Sequence, residues 1–191
     1  SKMFYVNSAC GIRNMTLQGL SDVLGANNAY LTRRPVNDSC YVSLDPGTGP
    51  ADSTKWIYKS PYVQNVSTFG TGCTGLKIDG DLHNGGYDSV VANDFTQVLS
   101  DGIGVWVTNL GRSELVSVFT YYNHIGYLAE DGGKIRGTNG NNSYGKYGSV
   151  AEGVDNTETA TAAQVNNRST EAQIANVITD CLLYTSDAAD E

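Results

Sequence analysis

The sequence predicts an all-β protein, a β-solenoid whose rungs recur about every 22 residues, and three observations predict it. Ile103-Gly104, Ile125-Gly126 and Tyr147-Gly148 lie 22 residues apart, twice over. The residues after each Gly fall into columns: Trp106, Leu128 and Val150; Val107, Ala129 and Ala151; Thr108, Glu130 and Glu152; and Arg112 recurs as Lys134. Composition agrees, with 22 Gly and 12 Tyr in 191 residues and only 17% charged residues. A fixed period near 20 residues without helix-length apolar runs belongs to stacked rungs of short strands and tight turns. Such rungs stack at about 4.8 Å and hydrogen-bond to those above and below.

Taken in order, Phe4–Val6 and Ile12–Leu17 read as short strands. The second shares a theme with Val63–Phe69, Val90–Thr96, Leu115–Thr120 and Ile135–Asn139: an aliphatic residue followed two or three later by Asn, Ser or Thr. A column of Asn side chains can hydrogen-bond from rung to rung and satisfy the turn backbone, so Asn14, Asn65, Asn93 and Asn139 are read as structural ladders. Residues 21–60 break the rhythm with turn-rich stretches around one strand, Tyr41–Leu44, and are read as a loop-rich excursion from one face. Loops projecting from a rigid scaffold often carry recognition. The next rung closes at Gly75–Ile78, and an inserted turn follows at residues 79–86.

The β-helix is expected to span 1–154. Residues 155–180 read as a polar, Ala/Thr-rich linker or the start of a following segment, with a short helix capped near Thr170. Residues 181–191 share no period with the rest and resemble the translation of a sequencing adaptor, a non-native tail. Without that tail the net charge of −8 becomes −5, because it holds Asp187, Asp190 and Glu191 and no Lys or Arg. The chain opens at Ser1-Lys2 without an initiating Met or a leader, as a segment of a longer protein would.

Alternation along a strand decides which columns face inward. Lys77 aligns with Trp106 and Ile78 with Val107, so Ile78, Val107, Ala129 and Ala151 are expected inside and Trp106 outside.

Acidic charge argues against nucleic acid as the main partner. No apolar run reaches the ~20 residues of a membrane span. Cys10, Cys40 and Cys73 are too irregularly spaced for a disulfide framework or a zinc site, which suits assembly in a reducing cytoplasm. His83 and His124 have no metal-ligand spacing and read as surface or turn residues. Asp79, Asp81 and Asn84 lack the acidic position that completes a calcium loop. No cofactor is expected.

An outward Trp106 with Tyr121, Tyr122 and Tyr127 one rung later makes a candidate platform for sugar rings, though the favoured reading is that these aromatics bury a subunit interface or stack on one another. Solenoids of the pectin-lyase type often cleave polysaccharide, and two carboxylates about 5–9 Å apart can hydrolyse a glycosidic bond. Asp94 and Asp101 are the weak catalytic candidates. Glu130 and Glu152 share a column in which stacked like charges would raise each other's pKa, with Arg112, Lys134 and Arg136 near enough to pair.

Three longer runs carry a resemblance: Ser60–Val66, Asp94–Gly104, and Phe119-Thr120-Tyr121-Tyr122 through Gly153. They resemble virion structural proteins of marine tailed phages, notably cyanobacterial phages with contractile tails, over roughly residues 3–180. The resemblance implies a right-handed parallel β-helix within a longer tail fibre or baseplate-associated protein, assembled in the host cytoplasm and located in the virion tail. It implies sibling subunits, as a homotrimer by analogy with other fibres, and neighbouring tail or baseplate proteins as partners, with host-surface polysaccharide as a possible ligand. It brings no catalytic residues. The function expected is therefore a structural segment, more a non-enzyme than an enzyme. The alternative is a polysaccharide-degrading lyase or hydrolase, a tailspike-like depolymerase, on the same fold; a bacterial surface adhesin is a third possibility.

Overall fold

Runs of β-branched and aromatic residues, punctuated by Gly, Asn and Asp, form twelve strands in the computed structural model, which describes residues 1–6, 10–25, 33–44, 59–80 and 89–152. In chain order they are β1 (Lys2–Val6), β2 (Gly11–Ser21), β3 (Cys40–Leu44), β4 (Tyr62–Thr71), β5 (Thr74–Asp79) and β6 (Val90–Ser100). Then come β7 (Ile103–Thr108), β8 (Arg112–Tyr121), β9 (Ile125–Glu130), β10 (Lys134–Thr138), β11 (Asn141–Ser143) and β12 (Tyr147–Glu152). The linker, the helix near Thr170 and the terminal tail lie outside the described residues.

The strands build two parallel sheets between which the chain alternates. One runs β1-β3-β5-β7-β9-β12, the other β10-β8-β6-β4-β2, with β11 beside β10 on the far half of β8. Register follows the repeat: Ile103 lies opposite Ile125, Val107 opposite Ala129, Ala129 opposite Ala151 and Arg112 opposite Lys134. Lys77 pairs with Trp106 and Ile78 with Val107, and Ile78, Val107, Ala129 and Ala151 all lie in the main core. Their column is branched at one end, with Ile78 and Val107, and small at the other, with Ala129 and Ala151.

The long strands of the second sheet bend at one position each. Asn14, Asn65, Asp94, Ser117 and Asn139 share a column and all have φ between 50° and 57°. Left-handed backbone suits Asn and Asp, whose short polar side chains hydrogen-bond locally. The bend also resets the alternation. In β4, Val63 and Val66 both face the core although three residues apart, with Asn65 exposed between. Asn93 sits one position away, opposite Gln64 and Val116, so Asp94 and not Asn93 occupies the ladder.

A polar column runs through the interior beside this core. Thr68, Gln97 and Thr120 are in register and essentially fully buried, and the Thr120 hydroxyl donates to the Asn142 side-chain oxygen. The recurring glycines face it: a Cβ on Gly104 would strike Thr120, and one on Gly126 would strike Asn142. The repeated Gly is therefore a demand for space at a crowded corner.

The excursion expected at 21–60 needs correction at its centre. β3 is a fully buried strand between β1 and β5, so 40–44 belong to the first sheet itself. Its Tyr41 hydroxyl accepts from the Leu20 N–H at 3.0 Å and donates to the Phe69 carbonyl, tying the two sheets together. Residues 33–39 are held by Asp22, whose carboxylate accepts from the backbone of Val23, Asn37 and Ser39.

Candidate functional site

The aromatic residues singled out in the sequence part company. Trp106 does turn away from the main core, but only 6% of it is exposed, within a second apolar cluster with Ile103, Ile125 and Leu128. Its indole N–H donates to the Glu130 carboxylate at 2.7 Å, the Lys77 ammonium stands 4.1 Å from the ring centroid, and Arg34 lies over the ring at 5.5 Å. Tyr127 is 7% exposed in the main core, and its hydroxyl donates to the Val118 carbonyl at 2.6 Å. Neither ring is available to a sugar. The first sheet is buried on both faces along β7 and β9, so an alternating position there does not reach solvent.

Glu130 is likewise not a solvated outer residue. Its register partner is Glu152, but its ion-pair partner is Arg34, from the segment before β3, and not Arg112, Lys134 or Arg136. Arg136 instead pairs with Glu114. Burial holds the Glu130 carboxyl above its ordinary range, against the opposing pull of Arg34 and the Trp106 N–H. Lys77 continues the network to Asp38 at 2.9 Å, and Asp38 also meets Lys2 at 3.5 Å. This cluster pins residues 34–38 across the first sheet. Every charged member has a partner, which is the arrangement of a structural clamp.

The candidate carboxylates do not meet. Asp94 occupies the bend of β6 and Asp101 follows its end, both exposed, so the straight stretch between them separates them by about 20 Å. That exceeds the span over which two carboxyl groups share a glycosidic bond. Asp79 accepts from the Asn109 side chain at 2.9 Å in a turn. Asp81, His83 and Asn84 lie outside the described residues. His124, expected as a surface or turn residue, lies in the turn between β8 and β9 but is 5% exposed, with Tyr147 edge-on to its ring. Cys40 and Cys73 are buried thiols, pushed by burial up to about 12 and about 11.

Tyr121 and Tyr122 remain. Tyr121 is half-buried on the outer face of the second sheet, in a column with Phe69 and Val98. Tyr122 begins the turn beyond β8 and stacks on Tyr144, with centroids 5.4 Å apart and planes at 20°. Sequence inspection missed Tyr144, because the stack joins two turns and no strand column.

The backbone beneath this pair is unusual for its residues. Gly72, Asp101, Tyr122 and Tyr144 succeed one another at the same corner, all with φ between 55° and 66°. The Asp101 N–H donates to the Tyr122 carbonyl at 3.0 Å, and the Tyr122 N–H to the Ser143 carbonyl at 3.1 Å. Among the described residues, nine of the twelve non-Gly residues with positive φ are Asn, Asp or Ser, and the exceptions are Leu110, Tyr122 and Tyr144. A left-handed residue with a bulky side chain costs about 1–2 kcal/mol. An aromatic pair returns about 0.5–1.5 kcal/mol beyond its burial. The stack by itself therefore returns less than the left-handed backbone of the two tyrosines, 53% and 78% exposed, costs. Departures of this kind collect at functional sites. Comparison with known protein families, with curated proteins and with solved structures finds no match.

Proposed function

We propose that the chain is a right-handed parallel β-helix segment of a phage tail fibre or another tail-associated virion protein, a stiff spacer that does not cleave its ligand. The observation that supports this most is the register. In both sheets each strand pairs in parallel with its counterpart one repeat away, column on column. A stack whose neighbours share a hydrogen-bond ladder and a continuous core resists bending and shear, as a fibre requires. The likeness of Asp94–Gly104 and Phe119–Gly153 to marine phage virion proteins gives the reading its context. Sibling subunits, as a homotrimer, and adjoining tail or baseplate proteins would cover the open edges of the sheets.

Two measurements test this. Gold-labelled antibody raised against the chain is expected to decorate the tails of marine tailed phages that encode the sequence; particles left bare would sink the assignment. The folded chain, incubated with marine and bacterial polysaccharides, is expected to release no new reducing ends. Release that disappears in an Asp94→Asn, Asp101→Asn double variant would instead establish a depolymerase.

A further inference from the structure

We infer that the Tyr122–Tyr144 stack is a saccharide-binding site, taking the apolar face of a neutral hexose in a surface polysaccharide. This deepens the tail-spacer reading and rests on it for the source of the ligand. Both residues are more than half exposed, yet each is held at a backbone position that Gly72 and Asp101 fill naturally in the preceding repeats. Burial does not account for Tyr144, and the mutual stacking by itself recovers less than the backbone loses. The 20° stack leaves the outer face of Tyr144, 78% exposed, as a flat apolar surface. Ser143 precedes it and Asp101 lies one repeat before Tyr122 at the same corner, so hydroxyl and carboxylate groups stand beside the platform, while the Asn142 side chain turns inward to Thr120. An aromatic face with a polar rim matches a pyranose, which has C–H groups on its faces and hydroxyls around its edge. Asp101 and a net charge that stays at −5 without the terminal tail select against polyanionic glycans.

The test is electrophoresis of the full chain through gels containing laminarin, a neutral glucan, or alginate, a polyuronate. Wild type is expected to be retarded by laminarin and not by alginate. Tyr144→Asn and Tyr122→Gly are expected to weaken the retardation at least tenfold while melting at or above the wild-type temperature, since both residues suit the left-handed backbone. Tyr5→Ala, at an exposed tyrosine of the other sheet, is expected to leave it unchanged. Wild type unretarded by laminarin, or variants retarded as strongly as wild type, would overturn the site. So would concentration-dependent self-association lost in the variants, which would assign the stack to a second copy of this chain. Release of reducing ends would overturn the spacer reading instead, whatever the retardation shows.

Discussion

Asn65 donates its side-chain amide to the side-chain oxygen of Asn14 at 3.0 Å, across adjacent parallel strands, and both residues hold a left-handed backbone. The same relation recurs at the other end of the column, where Asn139 donates to the Ser117 hydroxyl at 3.0 Å. Side chain and backbone thus make one device: the bend needs a left-handed residue, and the residue types that tolerate it carry the group that links neighbouring bends.

Asp94 is the one charged member of this column. Asp94→Asn keeps the left-handed preference and adds a donor for the ladder, so stability is expected to hold or rise by up to about 0.5 kcal/mol. Asn65→Ala loses both backbone tolerance and the bond, and is expected to cost about 2 kcal/mol. Urea titration of both variants checks the pair. Destabilisation by Asp94→Asn would show that the carboxylate has a task beyond the bend.

Leu110 and Asn109 are the two central residues of a turn closed by the Gly111 N–H on the Thr108 carbonyl at 3.0 Å, both with positive φ. The equivalent turn at 131–132 places Gly132 where Leu110 stands. Two-residue turns with both φ positive favour Asn-Gly. Leu110→Gly is expected to stabilise by about 0.5–1 kcal/mol, seen as a higher melting temperature. A lower one would mean the half-exposed leucine packs more productively than its conformation suggests.

Tyr41→Phe removes a hydroxyl that serves the Leu20 N–H and the Phe69 carbonyl together. Two part-buried backbone groups left unmet set the loss at about 1–2 kcal/mol, readable as a drop in the urea midpoint at constant slope. A change below about 0.5 kcal/mol would show that water reaches both groups.

Arg34→Ala leaves the Glu130 carboxylate, 4% exposed, with the Trp106 N–H as its remaining described partner. Breaking a fully buried pair costs about 3–5 kcal/mol. The Arg34 side chain is 42% exposed, so solvent screening lowers the expectation to about 2 kcal/mol. Adding Glu130→Gln is expected to recover part of the loss, because the stranded charge is then gone; no recovery would mean that Arg34 acts through its packing on Trp106.

Asp22 and Glu130 respond to acid in opposite senses. For Asp22, burial pushes the carboxyl up, but backbone hydrogen bonds from Val23, Ser39 and Asn37 outweigh it and hold the group below its ordinary 3.8. Its stabilisation is complete above 3.8 and is lost as pH falls through the lower folded value. Glu130 is held above its ordinary 4.5, so its contribution is greatest in acid and is lost as pH rises from 4.5 through the folded value. Asp22→Asn is therefore expected to flatten the acid limb of a stability-versus-pH curve, and Glu130→Gln to remove a decline above 4.5. An unchanged acid limb in Asp22→Asn would show that the 35–39 segment is anchored elsewhere.

The sequence by itself determined the repeat. The 22-residue interval, the pairing of Ile103 with Ile125 and Val107 with Ala129, and the inward face of Ile78, Val107, Ala129 and Ala151 were all legible. In-register parallel pairing writes spatial neighbours into the chain at a fixed interval, and strand alternation assigns their sides. Irregular intervals hid the rest. Gln64 and not Asn65 lies opposite Asn93, which passes the ladder position to Asp94, and the strand read at Tyr41–Leu44 was assigned to an excursion because long insertions flank it.

Only the tertiary structure decided which aromatics face solvent. Trp106 and Tyr122 both read as outward, yet Arg34, from a segment remote in sequence, lies over Trp106, while Tyr122 stands at a bare corner. Alternation fixes the side of a sheet on which a residue projects. Whether that side is covered depends on chain arriving from elsewhere, and a local pattern carries no record of it.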